Sequence, residues 1–219
     1  MSDTGAGLSI LILAAGRGTR MRGADKLLED VAGVPLLRHL AQTALTLGRP
    51  VIVTLPRDAA QARRAALNGL AVHIAEVSDP DAGMAASLVA GIASLPRGCT
   101  GAMLLLGDMP EITGEDMKRL AKAFDDAGGD IVLRGGTADG TAGHPVVFPA
   151  ALFAALAGLK GDRGAGRLLA DREVTLVPLP GDHAIRDLDT PEDWKKWREE
   201  KGGQVTPSAE NATLVTMPV

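Results

Sequence analysis

The chain has 219 residues, a formal net charge of −4 and an apolar fraction of 46%. This length and apolar content suit one α/β domain. The weak acidic balance argues against nucleic acid as the main partner. The single cysteine, Cys99, excludes a disulfide within the chain and argues against a zinc cluster. The apolar run Leu8–Leu13 is too short for a signal peptide or a membrane span, so we expect a cytoplasmic protein with no membrane partner.

Short β-rich runs alternate with longer helical patterns along the chain. The predicted strands are Leu8–Leu13, Val51–Thr54, Val72–Ala75, Ala102–Leu106, Ile131–Leu133, Val146–Phe148 and Thr175–Val177. The predicted helices are Leu36–Leu47, Ala59–Leu67, Met84–Ser94, Glu115–Ala127, Ala150–Leu156 and Ala165–Ala170. This alternation, with continuously apolar strands, predicts a doubly wound α/β fold around a mostly parallel sheet. From about Gly135 the spacing becomes irregular, which indicates a mixed sheet or an inserted substrate lobe.

The C-terminal part of the chain changes character after a last predicted helix. Thr190 is a good N-cap for that helix, and Pro191 fits its first position. Beyond about Gly202 the sequence has no periodicity. We therefore expect residues 1–200 to form a single domain and residues 201–219 a flexible tail.

The segment LILAAGRGTRMRGADK, Leu11 to Lys26, combines glycines with cations directly after the first strand. Gly16 and Gly18 fit the start of a G-x-G-x-x-G dinucleotide motif, but Met21 occupies the third position and the second strand ends without an acid. Backbone N–H groups in a Gly-rich turn, together with basic side chains, suit a triphosphate. The four cations are Arg17, Arg20, Arg22 and Lys26. A basic surface turn is the alternative.

Two acidic motifs follow. Asp108 ends the apolar run AMLLLGDMP, where a carboxylate needs a partner such as Mg²⁺ or else caps the turn before Pro110. RDLDTPEDW offers Asp187 and Asp189. Because Thr190 supplies the helix cap, Asp189 is not needed for that role, and its structural alternative is a carboxylate that interacts with the helix dipole.

The stretch LAAGRGTRMRGADKLL resembles the signature of the MobA-like nucleotidyltransferases, from which it departs by one residue, Arg22. The motifs GDMP, DLDTPED, GMAASL, GHP and GDRGAGR resemble further motifs of that family and follow in its order over about residues 8–198. The resemblance implies a nucleotide-diphospho-sugar transferase-like, Rossmann-type fold. It also implies transfer of a nucleoside monophosphate from an NTP to a phosphate-bearing acceptor, with release of pyrophosphate.

The resemblance assigns roles to individual residues. Catalysis is assigned to Arg20, Lys26 and Asp108, and the metal, Mg²⁺ or Mn²⁺, to Asp108 and Asp189. The nucleotide-binding residues are Leu13, Ala14, Ala15, Gly16, Arg17, Gly18, Thr19, Arg20, Lys26 and Ser87, and the acceptor-binding residues are His144, Asp162 and Arg163. Packing is the alternative role of Ser87, and a purely structural role that of His144. Gly166 displaces Arg167 by one residue from the family pattern, so we assign Arg167 no role.

Substrates follow from the same resemblance. Within the family, LAAG accompanies cytosine and LAGG guanine, and Ala15 occupies the variable place. The implied reaction is therefore CMP transfer from CTP to molybdopterin, with a molybdoenzyme or its chaperone as an implied protein partner. A sugar-phosphate nucleotidyltransferase and a non-catalytic molybdopterin-binding accessory protein are the alternatives.

Overall fold

The computed structural model describes residues 7–16, 21–58, 61–161, 165–170 and 172–202, with all their side chains except those of residues 167 and 202. The strands in these ranges are β1 Leu8–Leu13, β2 Asp30–Val31, β3 Val34–Pro35, β4 Val51–Pro56, β5 His73–Val77, β6 Gly101–Leu106, β7 Leu133–Gly136, β8 Ala142–Pro149 and β9 Thr175–Pro178. The α-helices are α1 Leu36–Leu45, α2 Gln61–Ala66, α3 Met84–Ala93, α4 Gly114–Asp126, α5 Phe153–Ala157, α6 Gly166–Ala170 and α7 Pro191–Gly202. Short 3-10 turns span Lys26–Leu28, Pro80–Ala82 and Ala150–Leu152.

One sheet dominates the fold, with the strand order β5-β4-β1-β6-β8-β7-β9. Strand β8 runs antiparallel to β6 and β7, and the other neighbouring pairs are parallel. The mostly parallel, mixed sheet expected from the sequence is thus confirmed. From β1 the chain builds outward through β4 and β5 on one side and continues at β6 on the other. Such a reversal leaves a crevice beyond the carboxyl ends of the strands.

Both faces of the sheet are covered by helices. Leu8, Ile10 and Ile12 of β1 share one buried cluster with residues of α1, α4 and α7. Leu11 and Leu13 share the opposite cluster with residues of α3, α5 and α6. The period of two along β1 therefore sends its apolar side chains to two separate layers, and the doubly wound prediction is confirmed.

Several elements differ from the prediction. The predicted strand Ile131–Leu133 is mostly wrong, because β7 begins only at Leu133 and runs to Gly136. The β2–β3 hairpin was not predicted, since two-residue strands carry no periodicity.

Helix α7 has the predicted Thr190 cap, whose Oγ1 accepts a hydrogen bond from the Asp193 N–H at 3.2 Å. The helix extends two residues past the predicted boundary at 200, to Gly202, and residues 203–219 lie outside the described ranges. No helix in the described ranges is long and apolar enough to cross a membrane.

The chain crosses itself tightly at Gly143 in β8. A Cβ there would lie 1.9 Å from the carbonyl oxygen of Ala184, a backbone atom that also accepts a hydrogen bond from the His144 N–H at 2.7 Å. We expect Gly143→Ala to lower the free energy of unfolding by about 3 kcal/mol, because the backbone must move to admit the methyl group. Urea unfolding measures this. Gly158→Ala is the control, since its Cβ would meet only ordinary contacts at 3.6 Å. Equal unfolding midpoints for the two variants would contradict the expectation.

Candidate active site

A cavity of about 460 Å³ lies in the crevice beyond the carboxyl ends of β1 and β6. The first loop, residues 14–25, joins β1 to the 3-10 turn that begins at Lys26, and its residues Ala14 and Gly16 contribute to the cavity wall. The lining residues are Leu13, Ala14, Gly16, Lys26, Leu27, Pro80, Gly83, Met84, Ser87, Leu106, Gly107, Asp108, Asp187 and Asp189. Segments far apart in sequence thus meet where the fold predicts a ligand site.

The ends of β1 and β6 place Asp108 at this cavity. Leu13 pairs with Leu106 in register, and the Gly107 N–H donates to the Leu13 carbonyl at 3.0 Å. A Cβ on Gly107 would lie 2.9 Å from that carbonyl oxygen, so glycine lets the two strand ends approach closely. Asp108 follows directly and enters the cavity wall.

Lys26 is the centre of the charged cluster. Its Nζ lies 2.5 Å from Asp108 Oδ2 and 2.6 Å from Asp189 Oδ1. All three side chains are less than one-fifth exposed. The 3-10 turn that begins at Lys26 is capped by Asp25, whose Oδ1 accepts from the Leu27 N–H at 3.1 Å. Local turn geometry therefore delivers the ammonium group to two carboxylates from distant segments.

The electrostatics of the cluster favour a charged lysine. Burial lowers the pKa of Lys26, but the charges and hydrogen bonds of Asp108 and Asp189 outweigh it and raise that pKa above its usual value. Burial and the neighbouring Asp189 and Asp108 raise the pKa of Asp187. Among the described lining residues, three acidic side chains thus accompany a single cation, Lys26.

The same residues fit a divalent cation. Asp108 Oδ1 is buried and accepts no hydrogen bond within the described part of the chain. No group of three or more His, Cys, Asp or Glu side chains among the described residues has metal-binding geometry. One or two carboxylates are nevertheless what Mg²⁺ ordinarily takes from a protein when phosphate oxygens complete its shell. Asp108 and Asp189 supply that number, and they already share one cation.

The structure brings together most of the described residues that the sequence assigned to the nucleotide and metal. The cavity is lined by Leu13, Ala14, Gly16, Lys26, Ser87, Asp108 and Asp189. Ala15 is only 1% exposed and is not among the described lining residues. The predicted residues Arg17, Gly18, Thr19, Arg20, Asp162 and Arg163 lie outside the described ranges. Their roles remain predictions.

Two lining residues were underestimated from the sequence. The family resemblance favours Asp189 over Asp187 as a metal ligand, yet both side chains line the cavity. Met84 is the second residue of the GMAASL motif and is 44% exposed, which is unusual for a large apolar side chain. The positive φ of 88° at Gly83 precedes it and marks the start of α3. The glycine before the helix was the only sequence signal for this position.

His144 lies apart from the lining residues, in β8. Burial, followed by the charge of Arg134, lowers its pKa to about 4, against an opposing effect of Asp108. Its Nδ1 is buried and has no hydrogen-bond partner in the described chain. At neutral pH the ring is therefore uncharged, and its single N–H is used in the hydrogen bond to the Leu104 backbone. In this arrangement it offers a phosphate neither a positive charge nor a donor, and the acceptor-binding role of His144 stays a prediction.

This lowered pKa has a consequence for stability. Between pH 6.5 and 4 the unfolded chain protonates His144 while the folded chain does not, so the free energy of unfolding falls as the pH falls through this window. Between pH 6.5 and pH 4 we expect the free energy of unfolding of the wild type to fall by about 3 kcal/mol more than that of His144→Gln. Urea unfolding at several pH values measures the difference, with the exposed His73→Gln as control. Parallel pH curves for wild type and His144→Gln would contradict it.

The chain matches one protein family and several solved structures. The family model described as "MobA-like NTP transferase domain" matches residues 10–176. The chain is similar to Rv0371c of Mycobacterium tuberculosis H37Rv, with 30% identity and a TM-score of 0.75 over 90% of this chain and 100% of that one. A structure of the same protein in complex with manganese has a TM-score of 0.69, over 88% of this chain and 98% of that one.

Curated relatives match only part of the chain. A probable molybdenum cofactor guanylyltransferase of Natronomonas pharaonis is 34% identical over 52% of this chain and 56% of its own length. The bifunctional protein GlmU of Clavibacter sepedonicus is 38% identical over 58% of this chain. That alignment covers only 26% of GlmU, so the chain matches about a quarter of the GlmU relative and about half of the guanylyltransferase.

Proposed function

Because the chain belongs to the MobA-like NTP transferase domain family, we propose that it transfers a nucleoside monophosphate to a phosphate-bearing acceptor. An acceptor phosphate oxygen attacks the α-phosphorus of the NTP. The bond between that phosphorus and the bridging oxygen breaks, and pyrophosphate leaves. The observation that carries the proposal is the placement of Lys26 between Asp108 and Asp189 at the crevice beyond β1 and β6.

The described residues supply what this reaction needs, which is mostly positioning and neutralisation of charge. The Lys26 ammonium is a point charge that can donate to phosphate oxygens. Asp108 and Asp189 would hold Mg²⁺ or Mn²⁺, which when bound supplies a Lewis acid that polarises a phosphoryl oxygen. The attacking oxygen belongs to the acceptor, so the protein needs no nucleophile of its own.

We propose CTP as the donor and molybdopterin as the acceptor. The LAAG motif supports cytosine, although Ala15 is buried and its influence on the base would pass through the loop backbone. The Natronomonas relative supports the acceptor, since its name refers to the molybdenum cofactor. The same name specifies guanylyl transfer, so the base has to be tested directly.

The decisive experiment measures pyrophosphate release with Mg²⁺ and each of the four NTPs, with and without molybdopterin. Release that requires both CTP and molybdopterin supports the proposal. Release with another NTP would overturn the choice of base but not the reaction class. Release with a sugar phosphate in place of molybdopterin would favour the sugar-phosphate alternative. Binding of intact CTP beside molybdopterin without release would favour the accessory-protein alternative.

A further inference from the structure

Arg63 is a buried cation that the proposed chemistry does not use. It lies on α2 and is only 6% exposed. Its Nε and Nη2 form a two-pronged ion pair with Asp25, at 2.6 Å to Oδ2 and 2.9 Å to Oδ1. Its Nη1 donates to the carbonyl oxygens of Ala14, at 2.6 Å, and Gly16, at 2.9 Å. The planar guanidinium thus binds a carboxylate and two backbone carbonyls at once.

The partners of Arg63 lie at the two ends of the first loop. Ala14 and Gly16 follow β1 and line the cavity, whereas Asp25 immediately precedes Lys26. Asp25 Oδ1 accepts from both Arg63 and the Leu27 N–H, so the ion pair also holds the turn that carries Lys26. In a trans peptide the N–H points opposite to the C=O. Binding of the Ala14 carbonyl therefore also fixes the direction of the Ala15 N–H.

We propose that Arg63 is a positioning residue for nucleotide binding. It anchors Ala14, Gly16 and Asp25, at the two ends of the first loop, and keeps Lys26 at the cavity, where the proposed function places the triphosphate of the donor. This inference rests on the proposed function. Arg63 is not among the described lining residues, so its effect on the nucleotide passes through Asp25 and the loop carbonyls.

A lysine at this position tests the geometry separately from the charge. Arg63→Lys keeps the positive charge but cannot span Asp25 and two carbonyls with a planar fork. We expect the KM for CTP to rise about 10- to 100-fold, because small displacements of positioning groups have effects of this size. Binding of CMP is expected to weaken far less, since CMP lacks the β- and γ-phosphates that Lys26 neutralises under the proposed function. Arg64→Lys is the matched control, because the neighbouring Arg64 pairs with Glu76 at 2.7 Å instead of with the first loop.

Calorimetric titration of CTP and CMP with Mg²⁺ present, well below every unfolding midpoint, distinguishes positioning from stability. A lower midpoint for Arg63→Lys with wild-type affinity for CTP would overturn the proposal. A double-mutant cycle with Asp25→Asn and Arg63→Met adds a second criterion. If Arg63 acts through Asp25, the double variant loses no more CTP affinity than the weaker-binding single variant, whereas multiplicative losses contradict that route.

The two proposals fail in different ways. Absence of CTP binding and of pyrophosphate release in the wild type, with all four NTPs, would remove the proposed function and this inference with it. Normal wild-type turnover combined with wild-type kinetics for Arg63→Lys would remove only the role of Arg63.

Discussion

Replacing Asp108 with alanine is expected to lower the rate of pyrophosphate release by about 10³-fold with Mg²⁺ present. The side chain lies at the end of β6, 2.5 Å from Lys26 Nζ, and its second oxygen is buried without a hydrogen-bond partner in the described chain. Under the proposed function, that carboxylate holds the metal. Alanine removes both oxygens and with them a ligand of the metal, which under the proposed function stabilises the developing negative charge on the phosphates.

The Asp108→Ala variant is expected to stay folded, because Lys26 keeps Asp189 as a partner at 2.6 Å. Far-UV circular dichroism and thermal unfolding check this. Asp126→Ala is the control for loss of a carboxylate, since Asp126 pairs with Lys122 on the exposed surface of α4. Wild-type rates for folded Asp108→Ala would remove this residue from the mechanism.

The parallel part of the sheet was predictable because its strands carry their own signal. Strands β1 and β6 are nearly continuous apolar runs, buried on both faces, and such runs are distinctive in a sequence. Strand β7 was misplaced because the apolar pair Ile131 and Val132 precedes the paired residues. Val132 still accepts a hydrogen bond from Thr175, but the ladder to β8 starts at Leu133.

The location of the site could be predicted from the sequence, but the contacts between its side chains could not. The family resemblance assigned Asp108 and residues of the first loop to one site, and carboxyl ends of parallel strands do meet at one edge of a sheet. Lys26 and Asp189 are 163 positions apart, and no periodicity links their side chains. Arg63 and Arg64 are adjacent and chemically identical. Arg63 is nevertheless buried against the first loop, whereas Arg64 is partly exposed and pairs with Glu76. Only the three-dimensional arrangement separates their roles.

Replacing Lys26 with methionine is expected to lower kcat/KM for CTP by about 10²-fold, because a charge that neutralises the triphosphate is lost. Affinity for CMP is expected to change far less, since CMP lacks the β- and γ-phosphates. Steady-state pyrophosphate release gives the first quantity, and calorimetric titration of CMP the second. Equal losses for CTP and CMP would contradict the assignment of Lys26 to the triphosphate.

The same substitution is expected to strengthen the binding of Mn²⁺ in the absence of nucleotide. In the described structure the Lys26 ammonium lies 2.5 Å from Asp108 Oδ2 and 2.6 Å from Asp189 Oδ1, so a metal ion arriving alone competes with it for these oxygens. Methionine keeps the apolar stem and removes the competitor. Like-charged carboxylates then remain close together, and a divalent cation relieves their repulsion.

Titration of Mn²⁺ followed by electron paramagnetic resonance tests this directly, with thermal unfolding as a second readout. Lys26→Met should unfold at a lower temperature than the wild type without metal, and Mn²⁺ should restore more of its stability. Lys118→Met is the control, because Lys118 pairs with Glu115 on the exposed surface of α4. Weaker Mn²⁺ binding by Lys26→Met than by the wild type would contradict competition for Asp108 and Asp189. Tighter binding would mean that the wild type favours metal entry together with the triphosphate, whose oxygens give Lys26 a replacement partner.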